Sequence, residues 1–302
     1  MTGLQKRLLA WYAKYGRANL PWRVVRNPYY TVVSEFMLQQ TQVDRVVPIF
    51  GTFISRFPTF AALAKGPRSE VVRYWKGLGY NTRAVRLKAL ADAVVAKFDG
   101  EMPSDEKALL ELPGVGPYTV AAIRAFAFNY DAAANDTNVR RIVHRVHFGI
   151  EYPIKASTKE LERIARELVP KGEAHDWNSA MMDLGALVCT ARAPRCAGCP
   201  LQTLCAAAPI DAARLERLRE EYAKPPSAKD PVPFESTARF ARGRIVDRLR
   251  ELPPGERISL LDLEREIIGI VPPNIGERFD EFVAALEKDG VVARDGDGIS
   301  LA

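Results

Sequence analysis

Two carboxyl side chains sit in settings that would give them different chemistry. Glu35 lies in "TVVSEFMLQQTQV" among Val32, Val33, Phe36, Met37 and Leu38, so apolar residues cover most of its helix and a carboxyl there is partly buried. Without a partner, such a group keeps its proton towards neutral pH and can act as a general acid. Tied to an arginine such as Arg23, it would not. Asp136, in "ANDTNVRRIVHRV", precedes an apolar stripe of Val139, Ile142, Val143 and Val146, the place where aspartate caps a helix. Between the two lies "LPGVGPYT", residues 112–119. Gly114 and Gly116 allow the backbone to turn its N–H groups outward at the start of the next helix, which makes either an anion site or a plain tight turn. The four cysteines, Cys189, Cys196, Cys199 and Cys205, follow the spacing C-x6-C-x2-C-x5-C. In a reducing compartment a disulfide pair is the weaker reading, and four thiolates suit a metal or cluster. Structural zinc usually takes two paired spacings, whereas here only Cys196-x2-Cys199 is paired.

The elements that must hold these groups are helical. "YYTVVSEFMLQQTQVDRVV", "SEVVRYWKGL", "TRAVRLKALADAVVAKF", "DEKALLEL", "YTVAAIRAFAF", "TNVRRIVHRV" and "KELERIARELV" each space apolar residues three or four apart. The expected fold class is all-α. With 47% hydrophobic and 26% charged residues in 302, the chain can bury a core, and no apolar run is long enough to span a membrane. The N-terminus reads as an amphipathic helix rather than a signal peptide. A cytoplasmic, nucleoid-associated protein is expected, with no membrane partner and a monomeric state. The formal charge of +6 fits a polyanionic partner without requiring one.

Residues 223–235, "AKPPSAKDPVPFE", read as a Pro-rich linker. It separates a main domain, 1–222, from a small one, 236–302. The latter shows three helical segments and a terminal hairpin turning at Asp295 to Gly298, which suggests a winged-helix-like module. Its first helix carries Arg239, Arg242, Arg244, Arg248 and Arg250, a set that suits phosphates, solvent or a partner.

"LPWRVVRNPYYTVVSEFMLQQTQV", "GLGYNTRA", "LPGVGPYT", "DTNVRRI", "WNSAMMDLGALVC" and the cysteine loop together resemble the A/G-specific adenine DNA glycosylases, the MutY type within the endonuclease III superfamily, over about residues 15 to 207. That resemblance implies a helix-hairpin-helix core with a [4Fe-4S] cluster on the loop 189–205, held by the four cysteines. It implies a DNA duplex with a mismatched or oxidised base pair as partner, and excision in base excision repair of adenine opposite 8-oxoguanine or guanine. Glu35 would protonate the adenine and Asp136 would stabilise or capture the sugar cation, supported by Tyr118 and Asn138. Leu112, Gly114, Val115, Gly116 and Thr119 would hold a DNA phosphate. Gln40, Thr41 and Tyr80 would enter the space around the opposing base, and Trp22 and Arg23 would line the substrate pocket. Bifunctional relatives carry a lysine where this chain has Tyr118, so strand cleavage through a Schiff base is not expected.

Two departures matter. Residues 236–302 are too few and too helical for the Nudix-like domain that many adenine glycosylases use to recognise 8-oxoguanine, and Asn81 stands where the family has an aromatic. They leave open a mismatch thymine or uracil glycosylase of the same fold, and a catalytically silent DNA-binding protein. Glu35 argues against the first; Glu35, Tyr118 and Asp136 together argue against the second.

Overall fold

The computed structural model describes residues 1–222 and 232–302; most of the expected linker, 223–231, lies outside the described residues. In chain order the helices are α1 (Gly3–Tyr15), α2 (Pro21–Val24), α3 (Pro28–Leu38), α4 (Val43–Arg56), α5 (Phe60–Lys65), α6 (Arg68–Tyr74) and α7 (Thr82–Phe98). They continue with α8 (Glu106–Leu110), α9 (Pro117–Phe126), α10 (Thr137–Phe148), α11 (Thr158–Glu167), α12 (Ala174–Leu187) and α13 (Ala212–Glu221). The C-terminal segment contains α14 (Ala238–Glu251), β1 (Ile258–Ser259), α15 (Leu260–Ile268), α16 (Pro273–Gly276), α17 (Phe279–Lys288), β2 (Val292–Asp295) and β3 (Gly298–Leu301). No helix among the described residues is long and apolar enough to cross a membrane.

One expected helix is two. The apolar period runs unbroken through residues 29–47, yet α3 stops at Leu38 and α4 starts at Val43. The break is at Gln40, whose φ of 54° is left-handed and cannot continue a helix.

The described residues pack as two units that do not follow chain order. The first contains Met1–Glu35, Ser104–Glu111 and residues 115–222. Its core joins Leu8 and Tyr12 of α1, Val139, Ile142 and Val143 of α10, Leu161 of α11, and Trp177, Met181 and Leu184 of α12, with Cys189, Cys199 and Cys205 packed against it. The second contains Phe36–Pro103, Leu112–Gly114 and residues 232–302.

Within the second unit the C-terminal module has the order helix–strand–helix–helix–helix–strand–strand, that of a winged helix with a four-residue helix, α16, in addition to the three expected helical segments. The hairpin turns where expected, with Asp295 opposite Gly298. A third strand, β1, pairs Ile258 with Ile299. At two residues it is too short to show an alternation in the sequence.

Candidate active site

All four expected catalytic residues, Glu35, Tyr118, Asp136 and Asn138, come together in the first unit. Glu35 stands on α3 with Val32, Val33, Phe36 and Met37 around it, all essentially inaccessible, and is itself only 8% exposed. Burial, the largest influence, pushes its carboxyl up to about 7; the charge of Asp136 pushes the same way, while a hydrogen bond from Tyr118 and the charge of Arg23 pull it down. Glu35 is therefore poised near neutral pH between its protonated and ionised forms and can give up a proton there. Arg23 does not form the ion pair that would have kept Glu35 charged. Its guanidinium goes to Asp183, 2.9 Å away, and Arg17 takes the other side of that carboxylate at 2.6 Å.

Tyr118 lies in the first turn of α9. Burial pushes its phenol well above the usual tyrosine range, and the charges of Glu35 and Asp136 add to the effect, so the hydroxyl remains a proton donor towards Glu35. Asp136 is both a cap and a site residue. One oxygen accepts from the Val139 N–H at 2.8 Å, capping α10; the other accepts from Asn138 Nδ2 at 2.8 Å. Asn138 is fixed in turn by Arg141, which donates to its Oδ1 at 2.7 Å, to the Gly185 carbonyl at 2.9 Å and to the Cys189 carbonyl at 2.9 Å. A Cβ at Gly185 would lie 2.5 Å from the Cβ of Asn138, so this point of α12 must be glycine.

The hairpin differs from expectation in one respect. Gly114 has φ of 76°, and a Cβ there would come within 3.2 Å of Phe36, so glycine is required. Gly116 is ordinary extended backbone, with φ of −110° and ψ of 179°; nothing lies within 4 Å of a Cβ placed on it. Its contribution is open space rather than a special conformation. No side chain caps α9 and Pro117 has no N–H to offer, so no side-chain acceptor competes for the N–H groups of its first turn, as an anion site needs. Leu112, Val115 and Thr119 are buried and can offer only main chain. Trp22 on α2 is also buried.

In the second unit, Gln40, Thr41 and Tyr80 are held by a residue the sequence did not single out. Buried Arg83 donates to the carbonyls of Phe36 at 2.8 Å, Met37 at 2.9 Å and Gln39, then to Thr41 Oγ1 at 3.2 Å, Leu78 O at 3.0 Å and Gly79 O at 3.1 Å. It takes the orphan carbonyls at the end of α3 and fixes two left-handed residues, Gln40 at φ 54° and Tyr80 at φ 45°. Each such residue costs roughly 1–2 kcal/mol, a strain that the charge-assisted hydrogen bonds of Arg83 help to offset. An arginine at this point of "GYNTRAV" carries no signal of its own, because four of its six partners lie more than forty residues upstream.

The four cysteines are free thiols lining one pocket together with Arg145 and Arg195. Among the described residues no three His, Cys, Asp or Glu side chains are placed to hold a metal ion, so the thiols do not make a ready one-ion site. Buried Arg145 donates to Cys189 Sγ at 3.4 Å, to Thr190 O at 2.7 Å and, doubly, to Glu151. It puts a positive charge beside the sulfurs. A charge amid the apolar Ile142, Val143 and Val146 was the available clue to its role.

Residues 33–171 match the HhH-GPD superfamily base excision DNA repair protein family. The adenine DNA glycosylase of Mycolicibacterium smegmatis is 38% identical over 294 residues, covering 96% of this chain and 93% of that protein. Among solved structures, a thermostable thymine-DNA glycosylase superposes with a TM-score of 0.62 at 36% identity, over 67% of this chain and 93% of that one. Endonuclease III in a non-covalent DNA complex gives 0.58 at 26% identity, over 72% and 99%. With a relative matched nearly end to end and the hairpin, Asp136 and Glu35 in place, the chain belongs to the HhH-GPD superfamily of base excision DNA repair proteins.

Proposed function

We propose that the protein is a monofunctional adenine DNA glycosylase that hydrolyses the N-glycosidic bond of adenine paired with 8-oxoguanine or guanine in duplex DNA. The observation that carries this reading is Glu35, buried, bonded to Tyr118 and protonated up to about pH 7. Adenine leaves only after a ring nitrogen accepts a proton, whereas uracil can depart as an anion, so a stored proton suits a purine. As the C1′–N9 bond breaks, its electron pair goes to the base, which carries away the proton from Glu35. The Asp136 carboxylate, oriented by Asn138 and the α10 backbone, offsets the positive charge developing on the sugar. Water then supplies the hydroxyl at C1′ and its proton restores Glu35. No amine stands at position 118, so the product is an abasic site with an intact strand.

Cys189, Cys196, Cys199 and Cys205 would hold a [4Fe-4S] cluster, consistent with four free thiols around one pocket and a buried guanidinium at the sulfurs. Bound there, it would tie the loop to α10 and α12.

The test is excision from four duplexes, with adenine opposite 8-oxoguanine, adenine opposite guanine, thymine opposite guanine and uracil opposite guanine, each followed by alkali. Removal of adenine with strand breaks only after alkali is expected. Removal of thymine or uracil without adenine would replace this reading with the mismatch-pyrimidine one.

A further inference from the structure

The basic first helix of the C-terminal module is mostly neutralised within its own unit. Arg242 pairs with Asp289, Arg244 and Arg250 with Asp247, and Arg248 with Glu266. Among the described residues no carboxylate pairs with Arg239. Its guanidinium lies over the ring of Tyr80 instead, 4.1 Å from the centroid, and Arg83 approaches the same ring at 5.6 Å.

The position of Arg239 is imposed from the far end of the helix. Arg250 donates to the Val72 carbonyl at 3.1 and 3.0 Å and to Asn81 Oδ1 at 2.7 Å, and its own carbonyl accepts from Arg73. Asn81 begins α7 but makes no capping bond with its side chain; the side-chain oxygen goes to Arg250. Positions 239 and 250 are three helical turns apart and share a face. Fixing Arg250 on residues 72 and 81 therefore lays Arg239 on residue 80. Tyr80 is 39% exposed and Arg239 is exposed, so the pair offers solvent part of an aromatic ring and a planar cation without a carboxylate partner.

We propose that Arg239 is a specificity-determining residue, which with Tyr80 forms a platform for the base opposite the excised adenine and donates to acceptors on the edge of a guanine-type purine. The proposal rests on the glycosylase reading above. A guanidinium resting on a ring keeps its N–H edge in a fixed plane, the geometry that suits O6 and N7 of guanine; in 8-oxoguanine N7 carries a hydrogen, so O6 is the acceptor the two purines share. Cytosine presents an amino donor that an arginine cannot accept. The C-terminal module would thus contribute to opposing-base choice through one side chain.

The test reads binding rather than excision. Full-length protein is titrated with duplexes carrying a tetrahydrofuran abasic analogue opposite 8-oxoguanine, guanine or cytosine. Wild type should prefer the two purines, and Arg239→Ala should reduce that preference about tenfold. Tyr80→Ala should do the same, and the double variant should lose no more than either single change. Arg239→Lys should restore overall affinity but not the preference, and Arg244→Ala should change nothing. An equal loss for all three duplexes would mean a phosphate contact and overturn the proposal, as would an unchanged preference or a wild type that shows none. A protein that removes no adenine sinks the proposed function, yet still yields the binding preference, so the two failures are distinguishable.

Discussion

Arg23 gives its guanidinium to Asp183, 2.9 Å away, and that commitment leaves Glu35 to be governed by burial. Asp183 is completely buried and holds two arginines. Asp183→Asn leaves their charge uncompensated and favours the carboxylate form of Glu35. The fall in excision rate on the alkaline side, expected near pH 7 in wild type, should move to lower pH. Arg23→Met should move it higher. Single-turnover rates across pH 5 to 9 check both, and Asp183→Asn should also lower stability by about 3–5 kcal/mol.

Glu35 and Asp136 should separate by substrate. Glu35→Gln should abolish adenine removal while losing proportionally less on uracil in the same position, because uracil needs no proton to leave. Asp136→Asn should fail on both. Its amide also meets Asn138 Nδ2 donor to donor unless one group turns over, so a loss of about 1 kcal/mol in stability should accompany it. Equal losses on both bases for Glu35→Gln would make Glu35 a shaper of the pocket.

The same glutamate should mark the stability curve. Its carboxyl is raised when folded, so the folded state binds the extra proton between the unfolded value of 4.5 and about 7. Stability from this group is complete below the lower value and lost as pH rises through the upper one. Denaturant titrations at pH 5 and 8 should show Glu35→Gln gaining roughly 3 kcal/mol relative to wild type at the higher pH. No relative gain would show that Glu35 is ionised at little cost.

Tyr118→Lys places an amine where the phenol stood. It should acquire borohydride-trappable complexes with DNA, absent from wild type. Tyr118→Phe removes the bond that lowers the Glu35 value and should shift the alkaline limb upward without creating trapped product.

Protein purified anaerobically should contain about four irons and absorb broadly near ~400 nm. Cys199→Ser should lose both, and protease should then cut between 189 and 205 where wild type resists. Stoichiometric zinc in place of iron would refute the cluster.

Much of this site could be read from side-chain type and spacing. Asp136 as a cap, Glu35 in an apolar sheath and the turn at Asp295 to Gly298 depend on neighbours a few residues away, and those the sequence displays. The break in the helix through 29–47 does not. It depends on Arg83 collecting carbonyls from Phe36, Met37 and Gln39, a partnership across more than forty residues. Gly116 misled in the opposite direction: a Gly-Val-Gly turn suggests two special conformations, and only Gly114 has one. The arginines of α14 looked alike as a row, but the carboxylates that neutralise four of them come partly from α15 and the residue after α17. Arg239 stood out only when those partners were in place.

Asn138 and Gly185 share one small volume, with 2.5 Å between the Cβ of one and the place where the other would carry its own. Neither position can drift alone: an alanine at 185 would push away the side chain that steadies Asp136, while a larger residue at 138 would meet α12. The two positions therefore form one coupled unit, and replacing both together should differ from the sum of the two single replacements.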